Sequence, residues 1–183
     1  TEINGRHRIA LAVLAMGGDP TAFGTAADGS KINLVADSTY AYPGDLEEDT
    51  TNRMMYALVL LDAKGYPVPD DAKYTREGLL QMMLDRQNPE SGGFGLTAGG
   101  EDLDITSMTL QALAPYRDDE KVQKAIDAGL DFIQKQMDEN GYYVAFGTDS
   151  SESLSMVILA LCALGIDPDT DERFCAGDIT PTQ

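Results

Sequence analysis

Residues 104–116 read DITSMTLQALAPY, and residues 152–165 read ESLSMVILALCALG. Side by side, Met108 falls on Met156, Leu110 on Ile158, Ala112 on Ala160 and Leu113 on Leu161, always at the same offset. Upstream, Gly93-Phe94 falls on Gly141-Tyr142 at that offset too. The same apolar run returns in HRIALAVLAMGGDPT from His7 and NRMMYALVLLDAKGY from Asn52, where Leu14 matches Leu61 at nearly the same distance. The first and last copies share an exit, Asp19-Pro20-Thr21 and Asp167-Pro168-Asp169-Thr170. A period of about 48 residues, with two helices per unit, predicts stacked helical hairpins.

The two helices of a unit differ in pattern. One type is one-sided: Val122, Ile126, Leu130, Ile133 and Met137 recur at helical spacing, with Lys, Asp and Gln between them. The other is apolar nearly all round, as in Leu154, Met156, Val157, Ile158, Leu159, Leu161 and Leu164, which predicts burial on most sides. An inner row of apolar helices and an outer row of amphipathic ones follow, about seven main helices in all. Gly-rich breaks after the outer helices, NPESGGFG at Asn88 and DENGYY at Asp138, are predicted turns, and Pro115 and Pro168 are predicted to stop the inner helices. Residues 17–48 hold no long helix, with a short one expected over residues 32–37.

The 183 residues suffice for one domain, and the 43% hydrophobic share fits a globular chain. Thirteen basic residues stand against 31 acidic ones, a net charge of −18, with no basic stripe. Such a chain repels phosphate backbones, so nucleic acid is not expected as a partner. No apolar run reaches spanning length, so membrane insertion is not expected. The two cysteines, Cys162 and Cys175, form no metal-ligand motif and read as unpaired thiols more readily than as a disulfide. With His7 as the single histidine, a His-based triad or zinc site has little material.

Gly129-x2-Phe132-x3-Gln136-x4-Gly141-Tyr142, and Met83-x3-Gln87 running into Gly92-Gly93-Phe94, resemble the repeat of squalene cyclases and protein prenyltransferases. In that pattern the Gln can bond free backbone groups of the turn and the aromatic can plug the gap between hairpins. A fuller resemblance, over most of the chain, is to uncharacterised surface proteins of Gram-positive, clostridial-type bacteria. It is carried by DLDITSMTLQALAPY from Asp102, SSESLSMVILALCALGIDPDTDERF from Ser150, TREGLLQMML from Thr75 and RIALAVLAMGGDPT from Arg8. The resemblance implies an all-α fold, the α/α toroid shared with terpenoid cyclases, complement-type thioester domains and intrinsic-factor-type cobalamin carriers. It also implies a secreted or wall-attached setting. A closed toroid at this period needs about six hairpins. The chain supplies three to four, so residues 1–183 are expected to form a partial toroid of a longer protein, able to self-associate through open ends.

Function turns on Asp102-Leu103-Asp104-Ile105-Thr106. It is similar to the Asp-rich motif of squalene-type cyclases, whose middle aspartate protonates the substrate, but Ile105 replaces the last aspartate. That resemblance makes Asp104 a candidate general acid with Asp102 beside it. The stronger reading is capping: Asp104 or Thr106 at a helix start, matched one unit later by Asp149-Ser150-Ser151-Glu152. No thioester motif, prenyltransferase zinc set or phosphate loop is present. The run GDLEEDTTN at Gly44 lacks the spacing of a calcium loop and reads as a solvated helix start. No cofactor or metal is expected.

The remaining candidates are aromatic. Phe94, Tyr142, Tyr143 and Phe146 fall in corresponding turns, with Asp102, Asp149 and Ser151 nearby. Such a rim suits a sugar or flat ligand at a cavity mouth. Packing between hairpins is the stronger reading for Phe94 and Tyr142. Tyr143 has no matching aromatic in the first turn and is the better ligand candidate. The function expected is a non-enzymatic ligand-binding or interaction module, with a terpenoid-cyclase-like enzyme or a structural spacer as alternatives.

Overall fold

The computed structural model describes residues 3–46, 49–97, 99–145 and 148–182. They form seven α-helices, three short 3-10 turns and two small antiparallel ribbons, so the chain is mostly helical. The ribbons depart from a purely helical expectation, and each is only two residues per strand. The chain divides into two compact units, Thr1–Met83 and Leu84–Gln183.

In the first unit, α1 (Ile3–Ala15) packs on α2 (Leu34–Ser38) and α3 (Thr51–Asp62). The ribbon β1 (Gly24–Thr25) and β2 (Lys31–Ile32) joins α1 to α2, and α4 (Arg76–Leu84) follows at the end of the unit. The short helix expected over residues 32–37 is α2, capped by the Asn33 side chain, which accepts from Ala36 N at 2.9 Å. Helix α3 is buried nearly all round, with Met54, Met55, Ala57, Leu58, Leu60 and Leu61 in the core. Its end is held by Arg76, which donates to Leu61 O at 2.7 Å, Tyr66 O at 2.8 Å and Asp62 Oδ1 at 2.8 Å. This answers the need of a helix C-terminus for donors.

His7 sits wholly buried on α1 beside Tyr56, its Nε2 donating to Ser38 O at 2.6 Å. Its Nδ1 has no partner. The neutral tautomer with the proton on Nε2 suits both atoms, because a bare ring nitrogen can go without a donor more cheaply than an N–H can go without an acceptor. Burial accordingly lowers its pKa to about 4.

In the second unit, α5 (Leu103–Leu113) packs on α6 (Glu120–Gln136) and α7 (Ser151–Ala163). The start of α7 follows that of α5 at the same interval that separates Gly17 and Gly65, the glycines that end α1 and α3. Helix α6 is one-sided as expected: Val122, Ala125, Ile126, Gly129, Leu130, Phe132 and Ile133 are buried. Gly129 is small for a reason, since a Cβ there would lie 2.8 Å from Leu110 Cδ2 of α5. The all-round burial expected of α7 is not met. Ser153, Val157, Ala160 and Leu161 face the core, while Leu159 is 51% exposed and Cys162 is exposed. Helix α5 packs along α7 and leaves that outer face uncovered.

Pro115 sits just past the end of α5, in the 3-10 turn Ala114–Tyr116. Pro168 does not stop α7. The helix ends earlier in a glycine turn, with Gly165 N donating to Cys162 O at 3.0 Å and Ile166 N to Leu161 O at 2.9 Å. Helices α1 and α3 end in the same pair of bonds at Gly17 and Gly65. Arg117 then donates to Leu164 O at 2.8 Å, the role Arg76 has for α3.

Candidate functional site

Two turns of the second unit carry the candidate residues, and their backbones follow one plan. In the first, Gln87 and Phe94 pair across an antiparallel bridge, Gly92 N donates to Asn88 O at 2.9 Å, and Asp102 N donates to Phe94 O at 3.0 Å. In the second, Met137 and Tyr143 pair, Gly141 N donates to Asp138 O at 3.1 Å, and Ser150 N donates to Tyr143 O at 2.9 Å. Both turns pass through a left-handed glycine, Gly92 at φ 80° and Gly141 at φ 84°, a region that side chains with a Cβ avoid.

This geometry corrects the register read from the sequence. Tyr143, not Tyr142, occupies the place of Phe94, and Tyr142 occupies that of Gly93. The second turn is one residue shorter before its glycine and one shorter after its aromatic, so the two turns drift past each other while the helix starts stay in register. Phe94 is fully buried and Tyr143 is 1% exposed, both plugging the hairpin. Tyr142, with no aromatic counterpart, is 48% exposed. Phe146 lies outside the described residues.

The first turn is closed by side chains. Thr106 Oγ1 accepts from Phe94 N at 2.8 Å and donates to Phe94 O at 3.2 Å. Gln87 Nε2 donates to Gly92 O and to Ala125 O, both at 2.8 Å, tying the turn to α6. This is the part expected of the Gln in the repeat. Asn88 Nδ2 donates to Glu101 Oε1, and Asn88 Oδ1 accepts from Glu90 N at 2.8 Å.

The second turn lacks those closures. Leu154 stands on α7 where Thr106 stands on α5, and it offers no hydroxyl. Met137 takes the bridge place of Gln87 and has no amide to donate, and the neighbouring Gln136 is exposed. Asp138 does hold its own turn: its carboxylate accepts from Tyr142 N at 2.8 Å and Asn140 N at 2.9 Å, and these bonds lower its pKa. A cavity of about 240 Å³ opens there, lined by Tyr142, Tyr143, Asp149, Ser150, Ser151 and Leu154. The hydroxyl of Tyr143 has almost no accessible surface and has no hydrogen-bond partner among the described residues. Burial raises its pKa, so the phenol stays protonated and can both donate and accept.

The cavity thus joins Tyr142, Tyr143 and Asp149, together with Ser151, and leaves Phe94 and Asp102 in the other turn. Ser150 and Leu154 were not singled out from the sequence. Their signal was the repeat itself, which sets them opposite Asp102 and Thr106.

The aspartates of the Asp-rich stretch separate in role. Asp102 is the N-cap of α5, its carboxylate accepting from Ile105 N at 2.9 Å. Ser150 caps α7 in the same way, accepting from Ser153 N at 3.1 Å. The cap is therefore Asp102, ahead of the expected Asp104. Asp104 lies in the first turn of α5, half-buried, and its Oδ1 is buried without a partner among the described residues, as is Ser107 Oγ on the same helix. Thr106, the other expected cap, is committed to Phe94.

In the first unit, Asp49 pairs with Arg53 and accepts from Thr50 N at 2.9 Å. Glu47 and Glu48 lie outside the described residues. Among the described residues no group of three His, Cys, Asp or Glu side chains is placed to hold a metal ion, and no helix is long and apolar enough to cross a membrane. Cys162 and Cys175 are both free thiols. No protein-family model matches the chain, and no curated protein matches it either.

Proposed function

We propose that the chain is a non-enzymatic binding module of a secreted or cell-surface bacterial protein, built as part of an α/α toroid. The setting and the toroid rest on the sequence resemblance. The shared interval between the starts of α5 and α7 and between the glycine ends of α1 and α3 agrees with a hairpin repeat. The observation that carries the binding reading is the cavity at Tyr142, Tyr143 and Asp149. It occurs where one copy of a repeated turn departs from the other, and an exposed tyrosine ring and an exposed carboxylate line it.

The reading is tested by ligand-detected thermal unfolding with cobalamins, isoprenoids, glycans and calcium. A ligand at a hundredfold over its dissociation constant adds roughly 2.7 kcal/mol. The expected result is a shift with one class that Tyr142→Ala removes. No shift with any class points to the structural spacer.

The unpartnered Asp104 Oδ1 favours one rival, a cyclase-like enzyme that donates a proton from Asp104. Asp102, whose carboxylate is engaged at the helix start, leaves Asp104 without the adjoining group that such an acid needs. Turnover of squalene-like lipids, lost in Asp104→Asn, is the outcome that would establish the enzyme and displace the binding reading.

A further inference from the structure

We propose that the cavity beside α7 takes a single ring of a neutral saccharide, with a pyranose face laid on Tyr142 and ring hydroxyls bonded to Asp149. The inference rests on the binding reading above and names its ligand class. Size is the first argument. At about 240 Å³ the cavity falls below the roughly 300–1,000 Å³ of drug-sized sites, a size that suits a single ring.

Charge is the second argument. The start of α7 offers backbone N–H groups, which alone would suit an anion. Asp149 lines the same cavity and Glu152 stands in the first turn of α7, in a chain of net charge −18. These carboxylates oppose a phosphate or a carboxylate ligand.

Hydrogen-bond chemistry is the third. Asp149 is exposed and carries two carboxylate oxygens. A pair of neighbouring ring hydroxyls can donate to both. An alkylammonium could also pair with Asp149, but recognition of such a cation uses several ring faces, and among the described lining residues Tyr142 is the one exposed ring. Leu154 supplies the apolar wall against which the C–H face of a sugar loses water. The repeat gives the contrast: the corresponding turn has Thr106 in the place of Leu154, bonded to both polar atoms of Phe94, and no hydroxyl left over.

The experiment is an NMR titration of the whole chain with methyl glycosides of glucose, galactose and N-acetylglucosamine. The Leu154 methyl groups and the Ser150 and Ser151 amides are followed. Saturable shifts with at least one glycoside are expected. Tyr142→Ala should abolish them, and Asp149→Ala should weaken binding roughly tenfold, the cost of a hydrogen bond to a carboxylate. Shifts that survive both substitutions place the sugar elsewhere and overturn the inference. Tetramethylammonium and farnesol serve as comparison probes. If either moves these resonances and no glycoside does, the saccharide assignment fails while the binding reading stands. If no probe moves them, both fail.

Discussion

In the first turn of the second unit, Phe94 is buried against a hydroxyl that satisfies its backbone, and a glutamine ties the turn to α6. In the second, Tyr143 is buried with its own hydroxyl unsatisfied, Leu154 replaces the threonine, and a cavity remains. The backbones share one hydrogen-bond plan, so the difference lies chiefly in side chains. One copy spends its polar groups on closure. The other leaves the Tyr143 hydroxyl unpartnered among the described residues, beside an opening lined by Tyr142 and Asp149, and it is the second that merits the functional reading.

Breaking the closed turn should cost most. Phe94→Ala empties a fully buried site and is expected to lower stability by about 4 kcal/mol, read from urea unfolding. A loss under about 1 kcal/mol would mean that the ring does not plug the hairpin.

His7 shows what a buried orphan atom does when the fold alone explains it. Its folded pKa, about 4, lies below the ordinary 6.5, so the folded state favours the neutral ring. The unfolded chain therefore binds the proton first as pH falls. The stabilisation is complete above pH 6.5 and is lost between 6.5 and about 4, amounting to about 3 kcal/mol. His7→Gln should flatten that part of the pH dependence. An unchanged slope would show that His7 is not held neutral.

The glycines sharpen the comparison. A Cβ on Gly92 would lie 2.3 Å from Ala128 O, a backbone atom that cannot turn aside, whereas one on Gly141 meets only Ala176 Cβ at 3.3 Å and Ile179 Cγ2 at 3.5 Å. Both carry positive φ, so both lose about 1–2 kcal/mol on replacement by Ala. Gly92→Ala adds the clash and should lose about 3 kcal/mol in all. Equal losses at the two sites would mean that the first turn is not the tighter. Thr106→Val comes next, with about 1–2 kcal/mol for leaving Phe94 N buried without its acceptor.

Much of this was legible before any coordinates. The helix repeat, the one-sided face of α6 and the Gln87 tether follow from periodicity and residue type, whereas the preference for Tyr143 over Tyr142 rests on an alignment that the turn geometry reverses. The register of the second turn did not follow, because a Gly-aromatic pair can be aligned on either Tyr142 or Tyr143. Only the ladder bonds of Tyr143 decide between them. The cap was misplaced for a related reason: Asp102, Asp104 and Thr106 are all good cap formers, and side-chain chemistry cannot rank them. The exposure of Leu159 was invisible because an apolar helix reads as buried whether or not a neighbour covers its last face.

The smallest predicted effect is the most discriminating. Tyr143→Phe removes a hydroxyl that bonds nothing and keeps a ring that fills the hairpin as Phe94 does. If the hydroxyl served the fold, its loss would cost about 1 kcal/mol. If it bonds nothing, deleting a buried, unsatisfied group should leave the free protein unchanged within about 0.5 kcal/mol or make it slightly more stable. Urea unfolding of the variant against the unaltered chain separates the two. Destabilisation would give the second turn a structural polar bond after all, making it a variant closure. A gain would mark the phenol as carried at a cost to the fold, neutrality as carried without use to it, and a phenylalanine already stands in the other copy to show that a hairpin can be plugged without the hydroxyl.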